Sequence, residues 1–338
     1  MDKLFLKIEE LKDESLYSKH EQLVHGILNA INDGILKKGD RLPSINHMVG
    51  ELGYARKTIV RAYEELKRRG LVESKNFKGY YVLNTNTKVK LKVALLLYAF
   101  HSFQEDFYNA FRKELGEAYH IDVFFHHNNL SIFKNIVNSI KGKYGMYAIA
   151  PIPDLEVQKI LLRFPSEKLV IIDRFIELPN EFSFIAQEFE RSTFSLLEEL
   201  LPAIKKYNEM VLLYTDNADY PKGIQNAFEK FIRLYEVNGK IEKEYTQNSV
   251  QVNTLYFTIR DADLWYLLRD CKLKEYVIGE EVGIIAHNDN TVKEIISGGI
   301  TTISTDFKEM GLLVAQHIKN QSTIHKIISL EVKKRNSL

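Results

Sequence analysis

Residues 39–83 are divided by one proline, several glycines and apolar spacing into short elements of fixed order. Ser44 is placed to cap a helix over about residues 45–52, and Gly53 can end that helix with a positive φ. Apolar residues then recur at helical spacing over 56–69, which predicts a second helix. A short hairpin completes the stretch. Helix, tight turn, helix and hairpin together predict a winged helix-turn-helix.

The first turn of the predicted second helix is basic. It carries Arg56, Lys57 and Thr58, and the hairpin carries Lys75 and Lys78. A helix that enters the DNA major groove contacts bases with its N-terminal residues, and arginine can bind guanine through two hydrogen bonds. A charge run is usually only a solvated helix face. Because this basic run lies at the start of the second helix of a predicted helix-turn-helix, we expect it to bind double-stranded DNA.

The same stretch resembles the GntR family of bacterial transcription regulators. The resemblance rests on Leu-Pro-Ser at 42–44, Arg-x-Thr at 56–58 and Lys-Gly-Tyr at 78–80. Two positions depart from the family: Asn46 stands where arginine is usual, and Ala55 replaces a serine that would cap the second helix. From the residues and the resemblance together, the predicted DNA contacts are Ser44, Asn46, Arg56, Lys57, Thr58, Arg61, Lys75, Lys78, Gly79 and Tyr80.

Charge is unevenly distributed along the 338 residues. Residues 1–90 carry 17 Lys and Arg against 12 Asp and Glu, a net charge of +5, whereas the whole chain carries +1. The single cysteine, Cys271, excludes an intrachain disulfide and a zinc cluster. The charged N-terminus lacks the apolar core of a signal peptide, and the longest apolar run is too short to span a membrane. We therefore expect a cytoplasmic protein without a membrane partner.

A polar segment at residues 84–88 precedes a change in hydrophobic period. We therefore predict a DNA-binding domain at 1–83, a linker at 84–90 and a second domain at 91–338. Strands alternate with helices in the second domain, which predicts parallel sheets in two doubly wound α/β lobes of about a hundred residues each. The predicted strands are 92–99, 121–125, 147–151, 169–173, 209–214, 254–260 and 282–287.

Ligands of such sheets bind at the carboxyl ends of the strands, where a cleft forms between two lobes. The polar residues expected there include Thr215, Asp216, Asp261, His287 and Asp289. Taken singly, each could equally cap a strand or form a salt bridge. Carboxylates, amides and an aromatic side chain together would suit the hydroxyls and apolar face of a sugar.

Residues 91–320 resemble the effector domain of LacI-type repressors and, more distantly, periplasmic sugar-binding proteins. The match is strongest over 282–289, 299–303 and 307–311. The resemblance implies that a sugar is bound by an acid at the end of a first-lobe strand, by polar residues of the second lobe and by an aromatic residue at the second crossing between lobes. The predicted effector contacts are Phe100, His101, Asp173, Arg174, Lys222, Arg260, Asn288, Asp306 and Phe307.

A GntR-type head on a LacI-like sugar domain resembles the smaller group of regulators that includes the arabinose-utilisation repressor. That resemblance implies a homodimer that binds the operator of a carbohydrate-utilisation operon. It further implies a repressor that is released by a monosaccharide, a pentose or deoxyhexose such as arabinose or fucose.

Two other functions remain open at this point. A sugar-acting α/β enzyme with an accessory DNA-binding module is the main alternative, and a transport binding protein is opposed by the missing signal peptide. We find no nucleophile elbow and no phosphate loop. Adjacent His126 and His127 would point to opposite sides of a strand, so we expect surface or cleft histidines. No catalytic residue, metal or cofactor is predicted.

Overall fold

The computed structural model describes residues 2–12, 18–75, 78–85, 91–99, 102–216, 220–320 and 322–338. These residues form two compact units. The first comprises Met1–Val93, Glu117–His120 and Gly142–Gly145, and the second comprises Ala94–Gly116, Ile121–Lys141 and Met146–Leu338. The domain limits drawn from the sequence at residues 83 and 91 stay a prediction.

The first unit has the predicted winged helix-turn-helix. Its helices are α1 Asp2–Glu9, α2 Lys19–Asn32, α3 Ile45–Leu52 and α4 Arg56–Arg68. The antiparallel hairpin consists of β1 Val72–Lys75 and β2 Gly79–Val82. The predicted order of helix, turn, helix and wing is therefore confirmed.

Helix α2 packs behind the helix-turn-helix and contacts α4. A capping box starts it, in which the Ser18 hydroxyl accepts from the Glu21 backbone and the Glu21 carboxylate accepts from the Ser18 backbone. Its apolar stripe predicts a helix to about residue 36, but the helix ends at Asn32. Gly34 adopts a φ of +70° just beyond that end and turns the chain away.

The first lobe of the second domain is a helix-covered sheet. Its strands are β3 Leu91–Leu97, β4 Tyr119–Phe125, β5 Met146–Ile149, β6 Leu169–Asp173 and β7 Ser183–Gln187. The intervening helices are α5 Ser102–Leu115, α6 Leu130–Ile140 and α7 Leu155–Leu161. Strands β5, β6 and β7 pair in parallel, so their carboxyl ends lie at one edge of the sheet.

The second lobe repeats this arrangement. Its strands are β8 Glu209–Leu213, β9 Gly239–Glu242, β10 Thr254–Thr258, β11 Val282–His287 and β12 Thr301–Thr305. Its helices are α8 Glu190–Ile204, α9 Lys222–Leu234, α10 Asp261–Leu273 and α11 Thr291–Ile295. The pairings among these strands are parallel. The predicted pair of doubly wound lobes is confirmed.

The C-terminal segment belongs to both lobes. Helix α12, Phe307–Asn320, returns to the first lobe and packs on α5. A Cβ at Gly311 would lie 2.4 Å from the carbonyl oxygen of Phe107, so only glycine permits this approach. Strand β13, His325–Ile328, then pairs with β7, and β14, Leu330–Lys333, pairs with β12.

The sequence pattern did not predict strands β7, β9, β12, β13 and β14. The described sheets have the orders β13-β7-β6-β5-β3-β4 and β14-β12-β11-β10-β8-β9, so three of these five strands lie at sheet edges. Edge strands expose polar residues and lack the continuous apolar runs of central strands. None of the described helices is long and apolar enough to cross a membrane.

Candidate functional site

The turn between α3 and α4 is formed by local capping. The Ser44 hydroxyl accepts a hydrogen bond from the His47 backbone at 3.1 Å and starts α3. Gly53 ends α3 with a φ of +66°. Helix α4 starts after Ala55, whose side chain makes no capping hydrogen bond. The first turn of α4 thus presents backbone N–H groups without a side-chain cap, an arrangement suited to an anion such as phosphate.

Helix α4 presents its basic residues to solvent at this end. Arg56 and Lys57 are exposed, whereas Thr58 and Arg61 are half-buried. An Nη1 group of Arg56 donates a hydrogen bond to the side-chain oxygen of Asn46 on α3. The residue that departs from the family pattern therefore contacts the arginine that the sequence assigned to base reading.

The two exposed lysines of the hairpin, Lys75 and Lys78, differ in their contacts. Lys78 is exposed beside Gly79, which adopts a φ of +97°. Lys75 lies 3.0 Å from the carboxylate of Glu73 and 4.7 Å from the ring centre of Tyr81. Lys75 is therefore engaged within the hairpin, and the DNA contacts of Lys75 and Lys78 stay predictions.

Tyr80 makes contacts within the domain, and its role as a DNA contact stays a prediction. Its hydroxyl donates to the carboxylate of Glu64 at 2.8 Å, and its ring meets Tyr63 edge-on with centroids 4.9 Å apart. Burial, reinforced by Glu64, raises the pKa of Tyr80 to about 12. Tyr80 thus holds the hairpin to α4.

A cavity of about 540 Å³ opens where strand ends of the two lobes meet. Five predicted effector residues line it: Asp173, Arg174, Arg260, Asn288 and Phe307. A further set of lining residues was not predicted from the sequence; it includes Tyr98, Phe103, Gln187, Phe189, Tyr220, Glu244, Asn290 and Lys293. Several of these follow missed elements or lie within helices, where the strand-end rule could not find them.

Two predicted effector residues lie outside this lining. Lys222 starts α9 with its ammonium 3.9 Å from the Asp216 carboxylate, and both side chains are exposed. Asp306 is exposed and caps α12 by accepting from the Glu309 backbone at 2.9 Å. The structure therefore does not bring these two side chains together with the five that line the cavity. Phe100 and His101 fall outside the described residues.

In the first lobe, the carboxyl group of Asp173 lies in the cleft wall and is held by a hydrogen bond. Asp173 ends β6 with a φ of +66° and accepts a hydrogen bond from the Gln187 side-chain amide. Burial raises the pKa of the Asp173 carboxyl, although Arg174 and the bond from Gln187 oppose the rise. The Arg174 guanidinium lies 5.4 Å from the ring centre of Phe189. Asp173 therefore presents a fixed hydrogen-bonding group to the cleft.

In the second lobe, the cations at the cleft are already paired. Arg260 donates to Asp263 at 3.0 and 2.9 Å. The ammonium of Lys293, buried at 1% exposure, lies 2.7 Å from Asp261 and donates at 2.8 Å to the carbonyls of His287 and Asn288. Lys293 thus uses its three donors within the protein and fixes the chain after β11.

Two buried polar atoms of the cleft residues have no partner among the described residues. They are Nδ1 of His287 and the side-chain oxygen of Asn288. Burial lowers the pKa of His287 to about 3, so its imidazole is neutral near pH 7. A buried polar atom without a partner is costly in a folded protein, and a ligand that hydrogen-bonds to both residues would remove that cost.

Aromatic rings form an apolar part of the wall. Phe307 and Phe103 have ring centroids 4.6 Å apart, and both line the cleft. Phe189 lines it beside His287, with ring centroids 6.2 Å apart. An aromatic surface next to polar groups matches the C–H face and the hydroxyls of a sugar ring.

Asp289, expected at the cleft, and His126, expected at the cleft or the surface, are engaged elsewhere. Asp289 binds Arg335 at 2.8 and 3.0 Å, Lys333 at 2.8 Å and the Thr302 hydroxyl at 2.9 Å. His126 was expected in the cleft or at the surface, but it is buried, with one ring nitrogen bonded to the Ala150 carbonyl at 3.0 Å. Within the described residues, no group of three potential metal ligands occurs.

Residues 19–82 match the family described as bacterial regulatory proteins, gntR family. The N-terminal region is therefore a GntR-family DNA-binding domain. This GntR domain, residues 19–82, contains α2, the helix-turn-helix and the hairpin.

Curated relatives support the same assignment over a short length. The chain is 34% identical over 62 residues to an HTH-type transcriptional regulator of Mycobacterium tuberculosis, which covers 18% of this chain and 51% of that one. It is 32% identical over 72 residues to the HTH-type transcriptional repressor YtrA of Bacillus subtilis, covering 21% and 55%. The chain thus spans about half the length of these two relatives.

Solved structures match most of the chain by fold. A LacI family transcriptional regulator from Lactobacillus casei with bound glucose is similar with a TM-score of 0.62 at 14% identity, covering 73% of this chain and 99% of that one. The trehalose repressor from Escherichia coli gives 0.61 at 11% identity, covering 72% and 100%. The LacI-like fold inferred from the sequence is confirmed.

Proposed function

We propose that this protein is a transcription regulator in which the GntR domain binds an operator and the cleft between the two lobes binds a small uncharged carbohydrate. Carbohydrate binding changes the affinity for DNA. The carbohydrate is a monosaccharide, a pentose or deoxyhexose such as arabinose or fucose, and the regulator is a homodimeric, cytoplasmic, non-enzymatic repressor that the sugar releases.

The composition of the cleft wall carries this proposal. Among the described lining residues, three cations accompany three acids, namely Arg174, Arg260 and Lys293 with Asp173, Glu244 and Asp261. Their charges balance, and the imidazole of His287 is neutral. A ligand with many hydroxyls would satisfy the partnerless atoms of His287 and Asn288 without adding a charge to bury. The aromatic rings favour a cyclic ligand over a charged amino acid.

The DNA-binding half rests on the exposed N-terminal end of α4. Arg56 can donate to a guanine, Thr58 lies on the same turn, and Lys78 can contact the neighbouring backbone. Support for a sugar comes from similar folds, since the Lactobacillus casei regulator of the same fold holds bound glucose. The paired cations Arg260 and Lys293 argue against a phosphosugar, because neither offers an uncommitted charge to a phosphate.

Two measurements on the full chain test the proposal. Thermal-shift and calorimetric screens against pentoses, hexoses, deoxyhexoses and phosphosugars should find an uncharged sugar that binds. Selection from random duplex DNA should enrich one motif, and titration of that duplex should weaken when the sugar is present. Binding of nucleotides or amino acids in place of every sugar would contradict the ligand class. Turnover of a bound sugar would favour the enzyme alternative.

A further inference from the structure

Gln187 lies where the chain first crosses between the lobes. It is the last residue of β7, and helix α8 of the second lobe begins at Glu190. Thr305 occupies the matching place at the second crossing, as the last residue of β12 before α12 returns to the first lobe. Gln187 and Thr305 are buried, at 6% and 4% exposure.

A hydrogen bond joins these two crossings. The Thr305 hydroxyl donates to the side-chain oxygen of Gln187 at 2.5 Å, across 118 positions of sequence. The amide nitrogen of Gln187 donates in turn to the carboxyl of Asp173 in the cleft wall. The amide therefore has one orientation, because only its oxygen can accept from Thr305 while its nitrogen donates to Asp173.

Both crossings also supply cleft surface. Phe189 follows Gln187 by two residues, Phe307 follows Thr305 by two residues, and both rings line the cavity. A movement of either crossing would thus displace an aromatic part of the wall. Conversely, a ligand that bonds to Asp173 changes the acceptor on which the Gln187 amide depends.

We propose that Gln187 is a positioning residue that couples occupancy of the cleft to the geometry of the first two crossings between the lobes. A ligand hydroxyl on Asp173 redistributes the hydrogen bonds of that carboxyl, and the amide transmits the change to Thr305. Buried hydrogen bonds in series respond together because leaving one member without a partner is costly. The chemistry of the ligand in this inference rests on the proposed function. The hydrogen bond between Gln187 and Thr305 is present without ligand.

The first arm of the test needs no ligand. In Thr305→Val, which keeps the side-chain shape and removes the donor, amide exchange of the segments after Gln187 and Thr305 should speed up about fivefold or more. Thr254→Val is the matched control, since Thr254 is a buried threonine of the same sheet whose hydroxyl donates locally, to the carbonyl of Val252 at 3.4 Å. Exchange of both crossings at the wild-type rate in Thr305→Val would overturn the inference.

The second arm uses the sugar that most stabilises the wild-type chain in the thermal-shift panel. Thr305→Val should bind that sugar within about threefold of wild type, because Asp173 keeps its partner, yet lose about fivefold or more of the sugar-dependent change in DNA affinity. Gln187→Met, similar in length but without hydrogen bonds, should lose both. Full coupling in both variants would overturn the inference. If no sugar in the panel binds, the proposed function is contradicted. The amide-exchange measurement on Thr305→Val then decides by itself whether the hydrogen bond between Gln187 and Thr305 links the two crossings.

Discussion

At the scale of single residues, the contact between Asn46 and Arg56 shapes the proposed reading surface. Arginine has five N–H donors, and Asn46 accepts from one of them on Nη1. The edge formed by Nε and Nη2 remains able to bind a guanine through two hydrogen bonds. Holding the guanidinium before DNA arrives also lowers the entropy lost on binding. Asn46 stands where the family usually has arginine, and here its side chain supports the guanidinium of Arg56.

Substituting Arg56 should reduce affinity and sequence preference together. Arg56→Ala should cost about 1–3 kcal/mol of operator binding and relax the preference at one base pair, because a base contact is lost. Lys78→Ala is the control for a phosphate contact: it should weaken all DNA alike and reduce the salt slope by about 1. Fluorescence anisotropy at fixed salt measures both. Operator affinity unchanged by Arg56→Ala would remove the assignment.

Asp173 should contribute to sugar binding through its carboxyl. Asp173→Asn keeps the size, and its side-chain oxygen can still accept from the Gln187 amide, but the second carboxyl oxygen is replaced by a donor that cannot accept from a sugar hydroxyl. We expect sugar affinity to fall about tenfold or more, which calorimetry would show. Lys222→Ala serves as the comparison, because that side chain lies outside the cleft lining and should leave the affinity near wild type. Equal effects of the two changes would contradict the cleft as described.

At the scale of elements, the two ends of helix α4 differ in how they are held. The N-terminus lacks a side-chain cap at Ala55, whereas the C-terminal half is fixed by a buried ionic cluster. Glu65 accepts from His20 of α2 at 2.5 Å and from Arg69, the residue that follows the last residue of α4. The open end suits binding to phosphate, and the cluster fixes the helix to α2.

Adding a cap to α4 should stabilise the GntR domain. Ala55 has the extended backbone of an N-cap residue, with ψ of 136°, so serine fits without strain. Ala55→Ser should raise the free energy of unfolding by about 0.5–1 kcal/mol. Urea unfolding, followed by amide exchange in α4 peptides, would measure the change. Ala55→Gly, which offers no side-chain acceptor, is the control and should gain less; equal gains would contradict capping as the cause.

Acid should weaken the α2–α4 contact through Glu65. Burial by itself raises the pKa of this carboxyl, but the hydrogen bond from His20 and the charge of Arg69 outweigh burial and lower the pKa from 4.5 to about 2. Because the folded pKa is depressed, the stabilisation is complete above pH 4.5 and is lost as pH falls towards 2. The loss amounts to about 3 kcal/mol.

Pulsed hydrogen exchange at one labelling pH, after equilibration at each test pH, would follow this loss in α2 and α4 peptides. Glu65→Gln should be less stable at neutral pH and should show a shallower decline in acid, since it carries no proton-binding carboxyl. A parallel decline in the variant and in wild type would show that other groups cause the acid sensitivity.

At the scale of the whole molecule, the proposed activity depends on two copies and two domains. One winged helix contacts a half-site, and two related by a two-fold axis match a palindromic operator. Closure of the cleft would rotate one lobe against the other and thereby alter the spacing of the two GntR domains. A coupling of about 1–3 kcal/mol would change DNA affinity about five- to 150-fold.

We therefore expect a dimer in solution whose DNA affinity falls when the cleft is occupied. Sedimentation of the free chain and of its operator complex would establish the stoichiometry. Operator titrations with and without the identified sugar would give the coupling. A monomer in both sedimentation measurements would remove the dimer, and identical titration curves would remove the allosteric proposal.

The sequence by itself determined the parts of this protein that depend on neighbours in the chain. Ser44 and Gly53 start and end α3 because capping and positive φ are local properties. The central strands β6 and β11 have the predicted bounds because buried parallel strands are continuous apolar runs. Asp173 and Asn288 were found for the same reason, since each lies at or just beyond such a strand end.

The tertiary structure decided what depends on distant contacts. It paired the polar edge strands, turned Tyr80 towards Glu64 and left Lys222 beside Asp216. It also joined Gln187 to Thr305 across 118 positions, a contact that no periodicity or spacing encodes. Such contacts are selected by packing and by the need to satisfy buried polar groups, and these requirements exist only once the lobes are assembled.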